Sequence, residues 1–471
     1  MQPFLRELAD LLGREHVLTG DRAEPYLTDW RRRRTGRALA VARPGDREQV
    51  AAVVRLCAAH GVPIVPQGGN TGQVAAATPD DSGRALVLSL ARLNRIRAID
   101  PEGDTMTVEA GCILETVQQA AHAAGRLFPL SLGAQGSCTV GGNLATNAGG
   151  TQVLRYGNAR ELTLGLEVIT AEGEIWDGLR ALRKDNAGYD LRDLYIGSEG
   201  TLGIITAATL RLHPLPRARH TALLALESLA QAVRLLAHAR AELDATLTAF
   251  EVMGRECLEM VVQAFAQQRL PFAAADPATR WYVLLECSDP RGGPGSAADF
   301  EATLARAWEG GLAHDAAIAA SAAQQADFWR LREHITLALA EQPYCIKHDI
   351  SLPIAAIPDF VQATDALLQR HHPGTRMRVF GHLGDGNLHY NLLGPAGSTR
   401  QDWMAAEPQV QALVHDQVAA LGGSISAEQG IGSLRVADLR RYKPPLEVAL
   451  MRRIKQALDP QGLLNPGKVL D

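Results

Sequence analysis

The tightest constraint on how this chain can fold is a run with almost no side-chain bulk, Leu132 to Gly150, LGAQGSCTVGGNLATNAGG. Residues this small build no core of their own. They let the backbone approach a partner closely and leave its N–H groups free to bind anions. A flexible linker is the competing reading, but linkers rarely interleave Val140 and Leu144 with the polar pair Asn143 and Asn147. Two further loops share the character, Gly68-Gly69-Asn70-Thr71-Gly72 and the segment Gly188–Gly203. No strand is followed by G-x-G-x-x-G and no G-x-x-x-x-G-K-[ST] occurs, so a Rossmann site and a P-loop are not supported.

Glycine loops spread over one domain suit a long ligand laid across the fold better than a single phosphate; a flavin dinucleotide is such a ligand. Around them the chain alternates. Ala38–Ala42, Pro63–Pro66, Ala85–Leu90, Thr105–Ala110, Thr163–Thr170, Gly173–Trp176 and Ile204–Leu212 read as strands, while Arg47–His60 and Ile113–Ala124 repeat apolar residues at helical spacing. His213-Pro214-Leu215-Pro216 punctuates the chain and marks a boundary. Beyond it, Thr221–Leu226, Trp281–Glu286 and Ile346–Leu352 read as strands. Leu229–Leu243, Trp329–Ala340 and Ile357–Arg370 read as helices, Ser288–Ser296 as an exposed loop, and two helices are expected to flank a loop at Glu428. The strand–helix–strand order argues for a layered α/β or α+β architecture, with an expected first domain over 1–215, a second over 216–420 and a C-terminal helical segment over 421–471.

Composition excludes several alternatives. A length of 471 residues exceeds one small core, and a net charge of −5 gives no reason to expect nucleic acid. The six cysteines form no C-x-x-C pair, against a zinc ribbon or disulfide scaffold and in keeping with a reducing cytoplasm. No apolar run approaches the roughly 20 residues that span a bilayer. The expectation is a cytoplasmic protein without a transmembrane segment, with a homodimer as the default assembly.

The second half carries a different signal, Phe380 to Leu393, FGHLGDGNLHYNLL. His382 and His389 flank Gly384-Asp385-Gly386-Asn387, whose turn chemistry argues against a helix. A hairpin would bring both imidazoles to one point, as a metal site needs. Glu428, between an apolar run and a glycine turn, suggests a third ligand. Spacing alone leaves open a surface hairpin with two solvated histidines.

The segments VPQGGNTG (65–72), EAGCIL (109–114), 132–157, KDNAGYDL (184–191) and IGSEGTLGIIT (196–206) resemble the two-subdomain FAD-binding domain of the vanillyl-alcohol oxidase type, here about 37–215. WRLREHIT (329–336), IKHDISLP (346–353), GHLGDGNLHYNL (381–392), AEQGIG (427–432) and LDPQGLLNPGK (458–468) resemble the branch of FAD-linked oxidases that holds D-2-hydroxyglutarate and D-lactate dehydrogenases, with an α+β substrate (cap) domain. The resemblance implies FAD bound by Pro66, Gly68, Gly69, Asn70, Thr71, Gly72, Gly136, Ser137, Gly141, Gly142, Asn147, Gly149, Gly200, Thr201, Ile205 and Asn465. The 66–72 loop holds no His or Cys, so the flavin is expected to be non-covalent, Cys112 and Cys138 being the nearby nucleophiles.

It further implies a divalent metal, zinc being usual, on His382, His389 and Glu428, with Arg332, Thr336, Lys347 and Asn391 around a 2-hydroxy acid. The implied reaction oxidises that acid by hydride transfer from C2 to the flavin, eased by Lewis-acid activation of the hydroxyl. Two cations, Arg332 and Lys347, favour a dicarboxylate such as D-2-hydroxyglutarate. D-lactate and an oxygen-using oxidase of the same fold are the alternatives, and the expected acceptor is a quinone or an electron-transfer flavoprotein. One position departs from the family's pattern. Relatives read Glu-His-Gly where this chain has Glu428-Gln429-Gly430, and Gln cannot serve as a base. The expectation is that the metal alone acidifies the hydroxyl, or that His348 substitutes; a flavoprotein that has lost turnover is the third outcome.

Overall fold

Asp46 opens the helix Arg47–His60 by accepting the Gln49 amide, and Gly61, left-handed at φ 62°, closes it. Val50, Val53, Val54 and Cys57 form its buried stripe. The structure is a computed structural model that describes residues 2–272 and 276–471. It divides into two units, one of Met1–Gly149, Gly157–Leu215 and Glu428–Asp471, the other of Gly150–Tyr156 and Pro216–Ala427. Among the described residues no helix is long and apolar enough to cross a membrane.

The first unit holds two main sheets. One has four strands in the order Val17–Leu18, Ala40–Ala42, Leu86–Ser89, Ile64–Gln67, the last three mutually parallel. The other has five antiparallel strands, Ile96–Asp100, Thr105–Glu109, Ile204–Arg211, Thr163–Ile169 and Ile175–Gly178. Ile64–Gln67 delivers the loop at Gly68 from a buried strand. The C-terminal tail is stitched to it: Ile64 N–H donates to Leu463 O and Asn465 N–H donates to Ile64 O.

The second unit is a seven-stranded antiparallel sheet in the order Asp315–Ile318, Ala218–Leu226, Trp281–Asp289, Leu247–Gly254, Arg376–Gly381, Asn387–Leu393, Cys345–Ser351. Alternation assigns the faces. One carries Leu223, Leu284, Met253 and Phe380 and packs on the helix Ala322–Ala340. Register places Glu251, His389 and Asn391 on that same face. The opposite face carries His348 and Tyr390, whose rings meet His415 and Phe360 of the helices Arg400–Ala420 and Ile357–His371.

Several expectations need correction. Leu247–Gly254 is a strand with every residue buried, so it lacks the polar alternation that marks half-buried strands. Ile96–Asp100 is an edge strand with no fully buried residue, and Asp315–Ile318 and the helix Arg255–Ala264 are further elements that the sequence pattern does not single out. The 288–296 segment is shorter than a loop of that length: the strand runs to Asp289 and a helix starts at Pro294. Two helices, not one, follow Glu428, because Pro444 separates Val436–Tyr442 from Pro445–Leu458.

Glu167 ties the five-stranded sheet together. It has no exposed side-chain surface, receives both Arg97 terminal nitrogens at 3.0 Å, and accepts from Arg47 and Thr206. Burial pushes its carboxyl up, but the bonds from Arg97, Arg47 and Thr206 outweigh that and hold it below the usual carboxylate range. Glu167→Ala should lower stability by about 2 kcal/mol, because Arg97 retains only Glu109. A depressed folded value means the contribution is present above the unfolded value and lost as pH falls. Urea melts should therefore show the gap at neutral pH and its closure in acid; equal midpoints at neutral pH would refute the role.

Candidate functional site

A cleft lies in the first unit, lined by the glycine loops. Its walls are bare backbone for a steric reason. A Cβ on Gly68 would stand 2.3 Å from Thr139 Oγ1, and one on Gly69 would stand 2.1 Å from Ser137 O. Asn70 is left-handed at φ 54° and is held there by donating through Nδ2 to Thr28 O. The Thr139 hydroxyl and Asn465 Oδ1 are buried with no hydrogen-bond partner among the described residues. Orphaned polar atoms in a glycine cradle suit a polar ligand lying along the backbone. The expected FAD fits this donor set.

The structure brings Pro66, Gly68, Gly69, Asn70, Thr71, Gly72, Gly141, Gly142, Gly200, Ile205 and Asn465 onto the wall. It does not bring Gly136, Ser137, Asn147, Gly149 or Thr201 there. Three of these brace their own loops instead: Asn147 Oδ1 accepts the Arg160 amide, Thr201 donates to Ser198 O and Ser137 donates to Ala134 O. Sequence reasoning missed Thr139, Asn143 and Glu199, which do line it. Thr139 and Asn143 are the polar residues at the start of the helix Val140–Ala145, and that position inside a glycine run was the available signal. Glu199 is 6% exposed and accepts the Ile431 and Gly432 amides at 2.7 and 2.8 Å, fastening the C-terminal segment beside the cleft. Burial pushes its carboxyl above the usual range despite those two amides.

In the second unit the hairpin forms as its turn residues require. Arg376–Gly381 and Asn387–Leu393 pair antiparallel, and Gly386 takes the left-handed conformation at φ 82°. The rings of His382 and His389 stand 5.5 Å apart between centroids. Each faces a carboxylate. His382 Nδ1 is 2.7 Å from Glu251 Oε1, and Glu251 Oε2 accepts from Arg332 Nε at 2.7 Å. His389 pairs in register with Asp349, but their 3.8 Å separation is too long for a hydrogen bond, and Asp349 Oδ1 accepts from Asn387 Nδ2 instead. Burial pushes His389 far below the ordinary imidazole range, with the Asp349 charge opposing. A neutral imidazole is the metal-binding form.

Arg332 is buried on the helix stripe formed by Phe328, Leu331, Ile335 and Leu339, and its guanidinium lies 4.7 Å from the Phe380 ring. Thr336, placed one turn away by spacing, falls outside that stripe and is exposed. Lys347 is half-buried and pairs in register with Asn391, whose Nδ2 donates to His389 O. His348 is corrected outright. It neighbours Lys347 and Asp349 in a strand, so parity turns it to the opposite face, where its Nδ1 meets Tyr390 O at 2.8 Å. Gln429 is half-buried. Ala427 donates its amide to Asp349 O, which tethers the next residue, Glu428, to the strand. One ligand atom from each of His382, His389 and Glu428 lies within 4.8 Å of the others. Two imidazoles and a carboxylate are a donor set for zinc, manganese or cobalt.

Residues 38–178 match the family described as the FAD binding domain, and residues 215–469 match the one described as FAD linked oxidases, C-terminal domain. A protein of Xanthomonas citri pv. viticola named D-2-hydroxyglutarate dehydrogenase is 44% identical over 451 residues, covering 95% of this chain and 92% of its own length. The protein of Bos taurus named D-2-hydroxyglutarate dehydrogenase, mitochondrial, is 39% identical, covering 98% of this chain and 83% of its own. The crystal structure of p-cresol methylhydroxylase superposes with a TM-score of 0.79 at 17% identity, covering 100% of this chain and 97% of that one. Alkyldihydroxyacetonephosphate synthase superposes at 0.76 and 18% identity, covering 99% and 84%. At such identities the likeness concerns the fold. Thr139→Val removes the orphaned hydroxyl without changing shape. The apoprotein should melt no lower than the parent, while FAD binding, read by fluorescence titration, should weaken by about 1 kcal/mol, roughly five-fold. Equal affinities would show that the hydroxyl does not face the cofactor.

Proposed function

Because this chain belongs to the FAD-linked oxidases and is an FAD-dependent oxidoreductase, we propose that it oxidises a D-2-hydroxy acid, D-2-hydroxyglutarate foremost, to the 2-oxo acid. The observation that carries the reading is Arg332. It is 6% exposed, held through Nε alone by Glu251, and both its terminal nitrogens are without a protein partner among the described residues. A buried guanidinium presenting that edge is built for a carboxylate, which it binds through two parallel hydrogen bonds. Lys347 would take the second carboxylate, which is what favours a dicarboxylate over lactate, and Asn391 supplies an amide beside it. The names of the relatives support the same substrate.

Bound in the glycine cradle, FAD would supply the hydride acceptor. Among the described residues no Cys or His lines the cleft, and burial pushes the Cys112 thiol to about 11 and Cys138 upward, so neither thiol is an ionised nucleophile. A dissociable flavin follows from this reading. His382, His389 and Glu428 would hold a divalent metal whose Lewis acidity eases loss of the substrate hydroxyl proton. A glutamine such as Gln429 takes no proton at neutral pH, and His348 faces the other side of the sheet, so neither is the general base.

The test is anaerobic titration of the purified yellow protein with 2-hydroxy acids. D-2-Hydroxyglutarate should bleach the visible flavin band stoichiometrically, its enantiomer should not, and D-lactate should act only at higher concentration. Arg332→Met should lower kcat/KM by about two to three orders of magnitude. Persistence of the oxidised band with every 2-hydroxy acid tried would sink the proposal.

A further inference from the structure

We propose that Glu251 is a positioning residue that sets two groups at once: it decides which nitrogen of His382 faces the metal and which edge of Arg332 faces the substrate. The inference rests on the reading above for the identity of both ligands. Its own ground is the geometry of one side chain.

Glu251 is 1% exposed, in a strand whose other members include Phe250, Val252 and Met253. A carboxylate in such a place costs several kcal/mol unless both oxygens are satisfied. Both are. Oε1 lies 2.7 Å from His382 Nδ1 and Oε2 lies 2.7 Å from Arg332 Nε. The Arg332 guanidinium has donors and no acceptor, so the oxygen facing it can only accept, and the matching 2.7 Å contact makes the other oxygen the acceptor for His382. Both partners must therefore donate. His382 carries its proton on Nδ1, which leaves the Nε2 lone pair for a metal. Arg332 uses its Nε edge on Glu251, which leaves its terminal edge for a carboxylate, while Phe380 flanks the guanidinium plane.

The arrangement is asymmetric. Asp349, the carboxylate beside His389, stands 3.8 Å away and serves the Asn387 amide. Glu251 is the carboxylate that fixes the tautomer of His382.

Glu251→Gln separates positioning from simple support of the fold. Glutamine has one oxygen where glutamate presents two, each to a different partner, so its NH₂ faces either His382 or Arg332. If that NH₂ donates to His382 Nδ1, the ring proton moves to Nε2, the atom a metal needs. In the FAD-loaded protein we expect the variant to bind Zn²⁺ about 10- to 100-fold more weakly by competition with a chromophoric chelator. KM for D-2-hydroxyglutarate should rise, and FAD occupancy should be unchanged because the cradle lies in the first unit. Glu251→Asp, which keeps the anion, should recover part of the zinc affinity.

A readout independent of metal and turnover is the ¹⁵N signature of His382 in the metal-free parent, expected to be the Nδ1–H tautomer. An Nε2–H tautomer in the parent overturns the proposal even if no variant folds. Unchanged zinc affinity and KM in a folded Glu251→Gln overturn it as well. If the parent binds no Zn²⁺, the metal reading itself fails, and the tautomer and KM still decide the role of Glu251.

Discussion

An ionised carboxylate in the middle of a fully buried strand is tolerated only where its charge is met on both oxygens. In the second unit that requirement is met by His382 and Arg332, which come from a hairpin turn and a helix stripe far apart in sequence. One constraint thus joins three elements. The strand Leu247–Gly254 must pair with Arg376–Gly381, and the helix Ala322–Ala340 must pack on the same face, for Glu251 to be satisfied. The groups that meet it are an imidazole and a guanidinium, so the demand of folding and the layout of the proposed site coincide.

The first unit solves the complementary problem. There the ligand-facing wall is made of backbone, and the small residues are required by close approach between loops, as at Gly69 against Ser137 O. The C-terminal tail completes the cradle through Asn465, whose Nδ2 donates to Ala76 O and Glu199 O. Residues distant by hundreds of positions are thereby fixed within a few ångströms, which explains why the tail carries a motif at all.

Much of this was legible in the residues. The hairpin was readable because its turn chemistry is local and its two histidines flank it, and the glycine loops were readable because absence of bulk is itself a pattern. What failed was non-local or hidden by burial. Glu251 escaped because LTAFEVMG has no period-two polarity, yet a lone Glu in an apolar run always needs a partner and was the available clue. His348 was misplaced although strand parity with Lys347 and Asp349 contained the correction. Asp349 could be found only through the register between Cys345–Ser351 and Asn387–Leu393, which no spacing within either strand discloses. Asn147 and Thr201 have the residue types of ligand contacts, but they spend their side chains on their own loops.

The central claim is that a flavin cradle and a two-histidine, one-carboxylate site act together on a 2-hydroxy acid. Its most direct test is the stopped-flow rate of anaerobic flavin reduction by D-2-hydroxyglutarate in one preparation, measured as isolated, after removal of divalent metal with a chelator, and after Zn²⁺ is restored. The account predicts that the rate collapses in the second state, with FAD still bound, and recovers in the third. An unchanged rate in protein shown by elemental analysis to be metal-free would contradict it.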